Sequence, residues 1–416
     1  METIHIQGGI PLQGKVRIQG SKNAALPILA ACLLMEDVSF LRNCPRIADV
    51  EAMIELLQCL GCSMHWRREG LEVNTRQFNC GALPEKAVRG MRSSVFLWGA
   101  LLGRCGEFSL EYPGGCVIGN RPVDMHIWAL EQLGARFQQE ESRLYAYAPH
   151  LSGAYIRLPI SSVGVTENII LAALSAQGDT YVEGAAKEPE IIALCDFLNR
   201  CGAWIEGAGT EHLHVVGGRR LYGTEYTIPA DRIVAGTYLF ATIGTGGRVL
   251  LEQAPVKHMG ETIRVAEDMG AVLYLTSEGI YVQGPSRPRS IRLETAPYPG
   301  FPTDLQSIVL AVETVGEGRS KITERIFENR FRIVPQLQKM GADIEVEDSI
   351  CAHVCGVNAL KGAHLHGEEL RGGAALVIAG LMADGESRVD GVSYIMRGYE
   401  NICRDFKELG ARVSGE

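Results

Sequence analysis

Six times along the 416 residues a helix-like stretch closes on an apolar residue or cysteine, then glycine, then a small residue, and a strand-like alternation follows. The copies are Leu60-Gly61-Cys62, Leu133-Gly134-Ala135, Cys201-Gly202-Ala203, Met269-Gly270-Ala271, Met340-Gly341-Ala342 and Leu409-Gly410-Ala411. Successive glycines stand 68 to 73 residues apart. A near-constant period marks a duplicated supersecondary unit, and six copies of about this size fill the chain. Each glycine stands where a helix ends on a left-handed residue.

Every period holds two helix patterns. The later one is amphipathic, as in residues 50–57, 189–198 and 400–409, with apolar side chains on one face. The earlier one is apolar almost all round, in residues 24–34, 93–102, 169–176, 233–242, 305–314 and 374–382, and so must be buried on every side. Short strands follow, such as Asp179-Thr180-Tyr181-Val182. The unit reads β-α-β-α-β-β. Three such units put their apolar helices together with sheets outside, so the expected fold is α/β with two lobes of three units. The boundary is expected near Pro229-Ala230-Asp231, with residues 22–229 in the first lobe and residues 1–21 plus 230–416 in the second.

A formal charge of −9 argues against general nucleic-acid or anionic-membrane binding. The start, Met1-Glu2-Thr3-Ile4-His5-Ile6-Gln7, alternates polar and apolar and does not read as a secretory leader. No uninterrupted apolar run is long enough for a membrane helix. With twelve cysteines, these features point to a cytoplasmic protein with reduced thiols. Cys59-x-x-Cys62 lacks a second pair at zinc spacing, and Cys351 and Cys355 read as structural.

Chemistry concentrates at helix starts. Residues 113–126 form a glycine-rich loop carrying Cys116 and then Arg121, with Pro122 and Asp124 suited to a first helical turn. A helix start beside an arginine favours an anion and a thiolate. Lys22 with Asn23, Arg92, Asp231 with Arg232, Asp304 and Arg371 open apolar helices, and Arg397 precedes the last amphipathic helix as Arg121 precedes an earlier one. Lys22, Arg92, Arg121, Arg371 and Arg397 with Asp304 as a lone carboxylate would suit a doubly anionic substrate. Each charge also suits a helix cap at a solvated rim. Asp124 and His126 are either an acid–base pair or, the favoured reading, a carboxylate serving its helix terminus and a ring that packs. Lys187-Glu188-Pro189-Glu190 reads as an acidic helix start explained by the dipole, and Asn329-Arg330-Phe331 either positions a loop or is a turn with capping. No Walker loop, Rossmann fingerprint or metal triad is present, so neither cofactor nor metal is expected.

Several motifs together resemble a known family. They are Gly20-Ser21-Lys22-Asn23-Ala24-Ala25-Leu26-Pro27, Pro113-Gly114-Gly115-Cys116 with Arg121-Pro122-Val123-Asp124, Ser162-Val163-Gly164 with Thr166-Glu167-Asn168, Phe301-Pro302-Thr303-Asp304, Phe327-Glu328-Asn329-Arg330-Phe331 and Arg397-Gly398-Tyr399-Glu400. The chain resembles the enolpyruvyl transferases, specifically those acting on UDP-N-acetylglucosamine, over its whole length. The resemblance implies two inside-out α/β barrels, each with three-fold pseudo-symmetry. It implies transfer of the enolpyruvyl (1-carboxyvinyl) group of phosphoenolpyruvate to the 3-hydroxyl of UDP-N-acetylglucosamine by addition and elimination. This is the first committed step of peptidoglycan precursor synthesis, which serves cell shape and division, and the target of the epoxide fosfomycin.

Carried over by residue, Lys22, Arg121 and Arg397 hold phosphoenolpyruvate with Arg371 nearby. Cys116 is the proton donor, and Asp304 the base. Asn23, Arg92, Arg121, Pro122, Val123, Asp124, Met125, Ser162, Val163, Gly164, Asp304 and Ile326 contact the UDP-sugar. One departure stands out: some relatives carry a lysine near Ser162, where this chain has Leu158-Pro159-Ile160-Ser161. Two alternatives stay open. One is the sister enzyme acting on shikimate 3-phosphate, which the Gly-Gly-Cys loop and Asn23 disfavour. The other is a non-catalytic UDP-sugar-binding protein.

Overall fold

The computed structural model describes residues 2–80, 92–111, 123–141 and 143–415. Two strands, β1 (Thr3–Gln7) and β2 (Gln13–Arg17), precede the repeats. The first repeat runs α1 (Lys22–Ala31), β3 (Val38–Arg42), α2 (Ala48–Cys59), β4 (Ser63–Arg67), β5 (Gly70–Asn74). The second runs α3 (Leu97–Cys105), β6 (Glu107–Glu111), α4 (Asp124–Gln132), β7 (Arg136–Glu140), β8 (Arg143–Tyr147). The third is β9 (Tyr155–Arg157), α5 (Val163–Ala173), β10 (Asp179–Glu183), α6 (Pro189–Arg200), β11 (Trp204–Glu206), β12 (His212–Val216). After β13 (Glu225–Thr227) the fourth runs α7 (Arg232–Gly244), β14 (Arg248–Glu252), α8 (Gly260–Asp268), β15 (Val272–Leu275), β16 (Gly279–Gln283). The fifth is β17 (Arg292–Glu294), α9 (Gln306–Glu313), β18 (Arg319–Thr323), α10 (Val334–Lys339), β19 (Asp343–Glu347), β20 (Cys351–Cys355). The sixth is β21 (His364–His366), α11 (Leu370–Met382), β22 (Glu386–Asp390), α12 (Val392–Ile395), α13 (Ile402–Glu408), β23 (Arg412–Gly415).

Each repeat builds one sheet. In the third, β9 lies parallel to β10, β10 antiparallel to β12, and β12 antiparallel to β11. The parallel pair requires a crossover, which α5 supplies; the antiparallel pair closes as a hairpin. The fifth repeat has the same order, β17-β18-β20-β19. Three sheets borrow strands from distant sequence: β13 joins β3, β2 joins β14, and β1 lies between β22 and β23. Among the described residues the second repeat contributes three strands, in the order β6-β8-β7.

The described residues gather into two compact units. One holds residues 2–19 and 230–415, the other residues 20–80, 92–111 and 123–229. In the latter α3 packs on α1 and α5; in the former α7, α9 and α11 pack on one another. These helices are buried all round, as Ile233–Ile243 of α7 and Arg371–Leu381 of α11 show. The sheets shield them with one face and alternate burial with exposure along each strand, as in β10. All six repeat glycines take positive φ, from 83° at Gly61 to 101° at Gly202. At Gly341 nothing stands within 4 Å of where a Cβ would be, so the left-handed backbone alone calls for glycine there.

Two expectations change. The apolar helix of the third repeat begins at Val163, not near Ile169, because Thr166, Glu167 and Asn168 are polar yet fully buried. Cys80 and Cys105 are paired in a disulfide with Cα atoms 5.8 Å apart, so not every cysteine is a free thiol. Among the described residues no helix is long and apolar enough to cross a membrane.

Candidate active site

In the unit containing α1, the first turn of that helix is set by Ser21, whose hydroxyl accepts the Ala24 N–H at 3.3 Å. Lys22 and Asn23 therefore stand, half-buried, at the head of an otherwise apolar helix. Lys22 Nζ lies 2.6 Å from Asp49 Oδ2, with 13% and 8% of the two side chains exposed. Asp49 belongs to the first turn of α2, where the helix dipole alone would justify an acid. Its pairing with Lys22 carried no sequence signal.

A second cluster forms around Asn168, which is almost fully buried. Its Oδ1 accepts the Gly99 N–H at 2.6 Å, its Nδ2 donates to the Val95 carbonyl at 2.9 Å, and that nitrogen lies 3.0 Å from His126 Nδ1. One amide thus ties the starts of α3, α4 and α5. Val123, Asp124 and Met125 open α4, and Ser162, Val163 and Gly164 open α5. A Cβ on Gly164 would come within 3.2 Å of the His126 ring, so glycine lets the two helix heads meet this closely. Neighbouring helix starts offer backbone N–H groups of one polarity to an anion. The turn over residues 92–96 packs against α1, α2 and α5, which sets the Arg92 backbone between these groups. The Arg92 side chain and the whole of Cys116, Arg121 and Pro122 lie outside the described residues. Ile160, just ahead of the Ser162 turn, is 71% exposed.

Burial drives the Glu167 carboxyl well above its ordinary range, and Glu190 and Glu188 add to the rise. Glu190 is itself buried, so the acidic start of α6 is more than an exposed complement to the helix dipole. His126 packs as expected, edge-on to Trp98.

In the other unit, Asp304 sits on a one-turn helix just ahead of α9. Arg330 Nη2 donates to its Oδ1 at 2.7 Å and Arg371 Nη2 to its Oδ2 at 3.1 Å. Both arginines are buried. Arg330 Nε also donates to Thr303 Oγ1 at 3.2 Å, and Thr303 donates to Glu324 Oε2 at 3.0 Å. The other oxygen of Glu324 accepts the N–H groups of Ile326 and Phe327, which brings the Ile326 loop to the Asp304 turn. Glu369 caps α11, accepting the Arg371 N–H at 2.7 Å and also that of Gly372. Asp304 is therefore not a lone carboxylate: Glu324 and Glu369 share its surroundings. Arg330, read from sequence as part of a turn, is the closer of its two cationic partners.

Burial opposes the Arg371 charge, but Asp304, with Tyr399 and Asp231, outweighs it and raises the guanidinium above its ordinary value. Its Nη1 has no hydrogen-bond partner among the described residues. The guanidinium lies 5.9 Å from the centre of the Tyr399 ring, and Tyr399 shares a 2.8 Å hydrogen bond with Thr237. Arg397 stands in the turn just before Tyr399. Gln19 clamps that turn, donating to the Gly398 carbonyl at 3.1 Å and accepting the Glu400 N–H at 2.9 Å. The unit thus supplies a part-exposed carboxylate fixed by two buried guanidinium groups, with Arg397 on a braced turn. Such a set can hold an anion and receive a proton from a hydroxyl.

The sequence matches the family profile of EPSP synthase (3-phosphoshikimate 1-carboxyvinyltransferase) over residues 6–406. It is 43% identical over 414 residues to a UDP-N-acetylglucosamine 1-carboxyvinyltransferase 2 of Caldanaerobacter subterraneus, covering 99% of each chain. It is 42% identical over 417 residues to a UDP-N-acetylglucosamine 1-carboxyvinyltransferase of Methylacidiphilum infernorum, covering 100% of this chain and 99% of the relative. Its fold is similar to that of the enolpyruvyl transferase NikO from Streptomyces tendae, with a TM-score of 0.90 at 22% identity over 99% of this chain and 98% of that one. EPSP synthase from Acinetobacter baumannii is similar at a TM-score of 0.76 and 19% identity, over the whole of both chains.

Proposed function

The chain belongs to the EPSP synthase family of enolpyruvyl transferases, and from that membership we propose that it moves the carboxyvinyl group of phosphoenolpyruvate onto the 3-hydroxyl of UDP-N-acetylglucosamine. The observation that carries the choice of acceptor is similarity above 40% along the entire chain to relatives bearing that name. Lys22, Arg121 and Arg397, with Arg371, hold phosphoenolpyruvate. Cys116 protonates its methylene carbon, and Asp304 takes the proton of the sugar hydroxyl as that oxygen bonds to the adjacent carbon. A tetrahedral phospholactoyl intermediate results. Loss of a methyl proton and of phosphate restores the double bond and leaves the enolpyruvyl ether. Asn23, Arg92, Arg121–Met125, Ser162–Gly164, Asp304 and Ile326 contact the UDP-sugar. The pairing of Asp304 with Arg330 and Arg371 supports its role, because a base fixed by two forks is preorganised for one proton. The reaction is cytoplasmic and commits material to peptidoglycan, hence to cell shape and division.

A phosphate-release assay with each acceptor tests this. Turnover is expected with UDP-N-acetylglucosamine and not with shikimate 3-phosphate; the reverse would overturn the assignment. Binding of the UDP-sugar without any phosphate release would instead make the protein a sensor. Cys116→Ser is expected to lose most turnover and to resist fosfomycin, and full sensitivity of that variant would exclude Cys116 as the reactive thiol.

A further inference from the structure

The hairpin of β19 and β20 lies on the outer sheet of the fifth repeat and has no part in the chemistry above. Its turn, Glu347 to Ile350, closes with a 3.2 Å backbone bond, and its two central residues, Asp348 and Ser349, take φ of 50° and 59° without glycine at either position. The register places Glu347 opposite Cys351, and Glu345 opposite His353. Cys351 and His353 are two apart on one strand and so share a face, while Ala352 and Val354 point into the core.

Three different donor atoms converge there. His353 Nε2 is 3.3 Å from Glu347 Oε2 and 3.8 Å from Cys351 Sγ, and all three atoms lie within 4.8 Å of one another. A histidine–carboxylate hydrogen bond explains the first distance. With its ring proton turned to the carboxylate, the histidine offers the thiol at 3.8 Å no more than a weak, shared hydrogen bond. A tetrahedral zinc ion does explain both. With bonds of about 2.0 Å to nitrogen or oxygen and about 2.3 Å to sulfur, its ligands stand roughly 3.3 Å apart for N and O and roughly 3.5 Å apart for N and S.

We propose that Glu347, Cys351 and His353 form a zinc site, with water as the fourth ligand. A thiolate with an imidazole selects zinc over magnesium or calcium, and the thiol gives up its proton to solvent as the metal binds. His353 is 24% exposed and Glu347 62%, so the ion has a path in, whereas Cys351 is buried at the base. Glu345, across from His353, is 3.5 Å from Arg319 and not one of the three converging ligands. The site would pin a tight turn that the sequence alone does not favour.

The test is titration of the full-length, metal-stripped protein with cobalt(II), whose bond to a thiolate gives a charge-transfer absorption in the near ultraviolet. The proposal expects one equivalent bound with that band, displaced by zinc, and a thermal midpoint raised by zinc. His353→Gln, on a part-exposed side chain, is expected to fold and to bind at least tenfold more weakly. Cys351→Ser is expected to abolish the band, and Cys355→Ser to leave it. Absence of the band at millimolar cobalt would overturn the proposal. So would a band that survives Cys351→Ser, or one that vanishes instead in Cys59→Ser.

Discussion

Arg330 shows what a residue can do that its neighbours in sequence do not announce. Its side chain is almost wholly buried, and it spends two of its donors on Asp304 and Thr303, 26 and 27 residues upstream. Asn329-Arg330-Phe331 belongs to a recognisable motif, but nothing in it names Asp304 or Thr303, because those partners come from another loop. Asp304 and Arg371 could be picked out, since a charge at the head of an apolar helix is an anomaly that sequence displays. Lysine at position 330 would keep the charge but lose the planar fork that reaches both partners. Hydrogen bonds to charged groups contribute about 1.5–3 kcal/mol. Arg330→Lys is therefore expected to lower kcat roughly tenfold to a hundredfold while leaving the KM for phosphoenolpyruvate within a few-fold. Steady-state kinetics on the folded variant decide the matter: unchanged kcat would mean that Arg330 does not position the base. Arg330→Met, which removes one buried guanidinium while Arg371 still pairs with the part-exposed Asp304, is expected to cost about 1.5–3 kcal/mol in urea unfolding, the size of a hydrogen bond to a charged group.

The apolar helices carry polar residues that blurred their boundaries in sequence. Thr166, Glu167 and Asn168 stand ahead of the apolar run that starts at Ile169, yet the helix already includes them, because burial is met by hydrogen bonds at Thr166 and Asn168 and by a raised carboxyl at Glu167. Glu313, the last residue of α9, is the counterpart in the other unit. Burial pushes its carboxyl up to about 7, against a hydrogen bond from Ser320 that pulls the other way. The folded protein therefore holds a proton at Glu313 that the unfolded chain releases near pH 4.5. Between those values the native state binds more protons, so stability falls as pH rises through about 4.5 to 7 and is then level. A shift of this size corresponds to about 3 kcal/mol. Glu313→Gln, which stays neutral, is expected to remove that fall: urea unfolding at pH 5 and pH 8 should differ by less in the variant than in the parent. Equal pH dependence in the two would mean that Glu313 is ionised in the native state.

At the scale of the whole chain, the period of 68 to 73 residues was enough to foresee six α/β repeats with buried helices, because each helix had to end on glycine and each strand had to alternate. Residues 1–21 are expected to join the second lobe, but the period could not show which strands the borrowed segments pair with. β1, β2 and β13 are short segments whose partners lie up to 411 residues away, as Ile4 opposite Gly415 shows, and a short alternation does not name its neighbour. Sequence likewise singled out Lys22 without revealing Asp49, since an acid in the first turn of a helix needs no other reason to be there. The borrowing has a consequence for folding. The described residues between 20 and 229 form one unit with its own core. Its ends are tied within it: the Ser21 N–H donates to the Pro229 carbonyl at 2.8 Å, Asn43 donates to Ile228, and β13 completes the sheet of β3. About 200 residues is ample for an independent domain. The segment 20–229 expressed alone is therefore expected to be soluble and to unfold in urea in one cooperative transition. The complementary chain, residues 1–19 joined by a short linker to 230–416, is expected to do the same, because the Asp231 N–H donates to the Gln19 carbonyl at 2.9 Å and its ends are adjacent. A gradual, non-cooperative loss of circular dichroism in either fragment would show that its core does not stand alone.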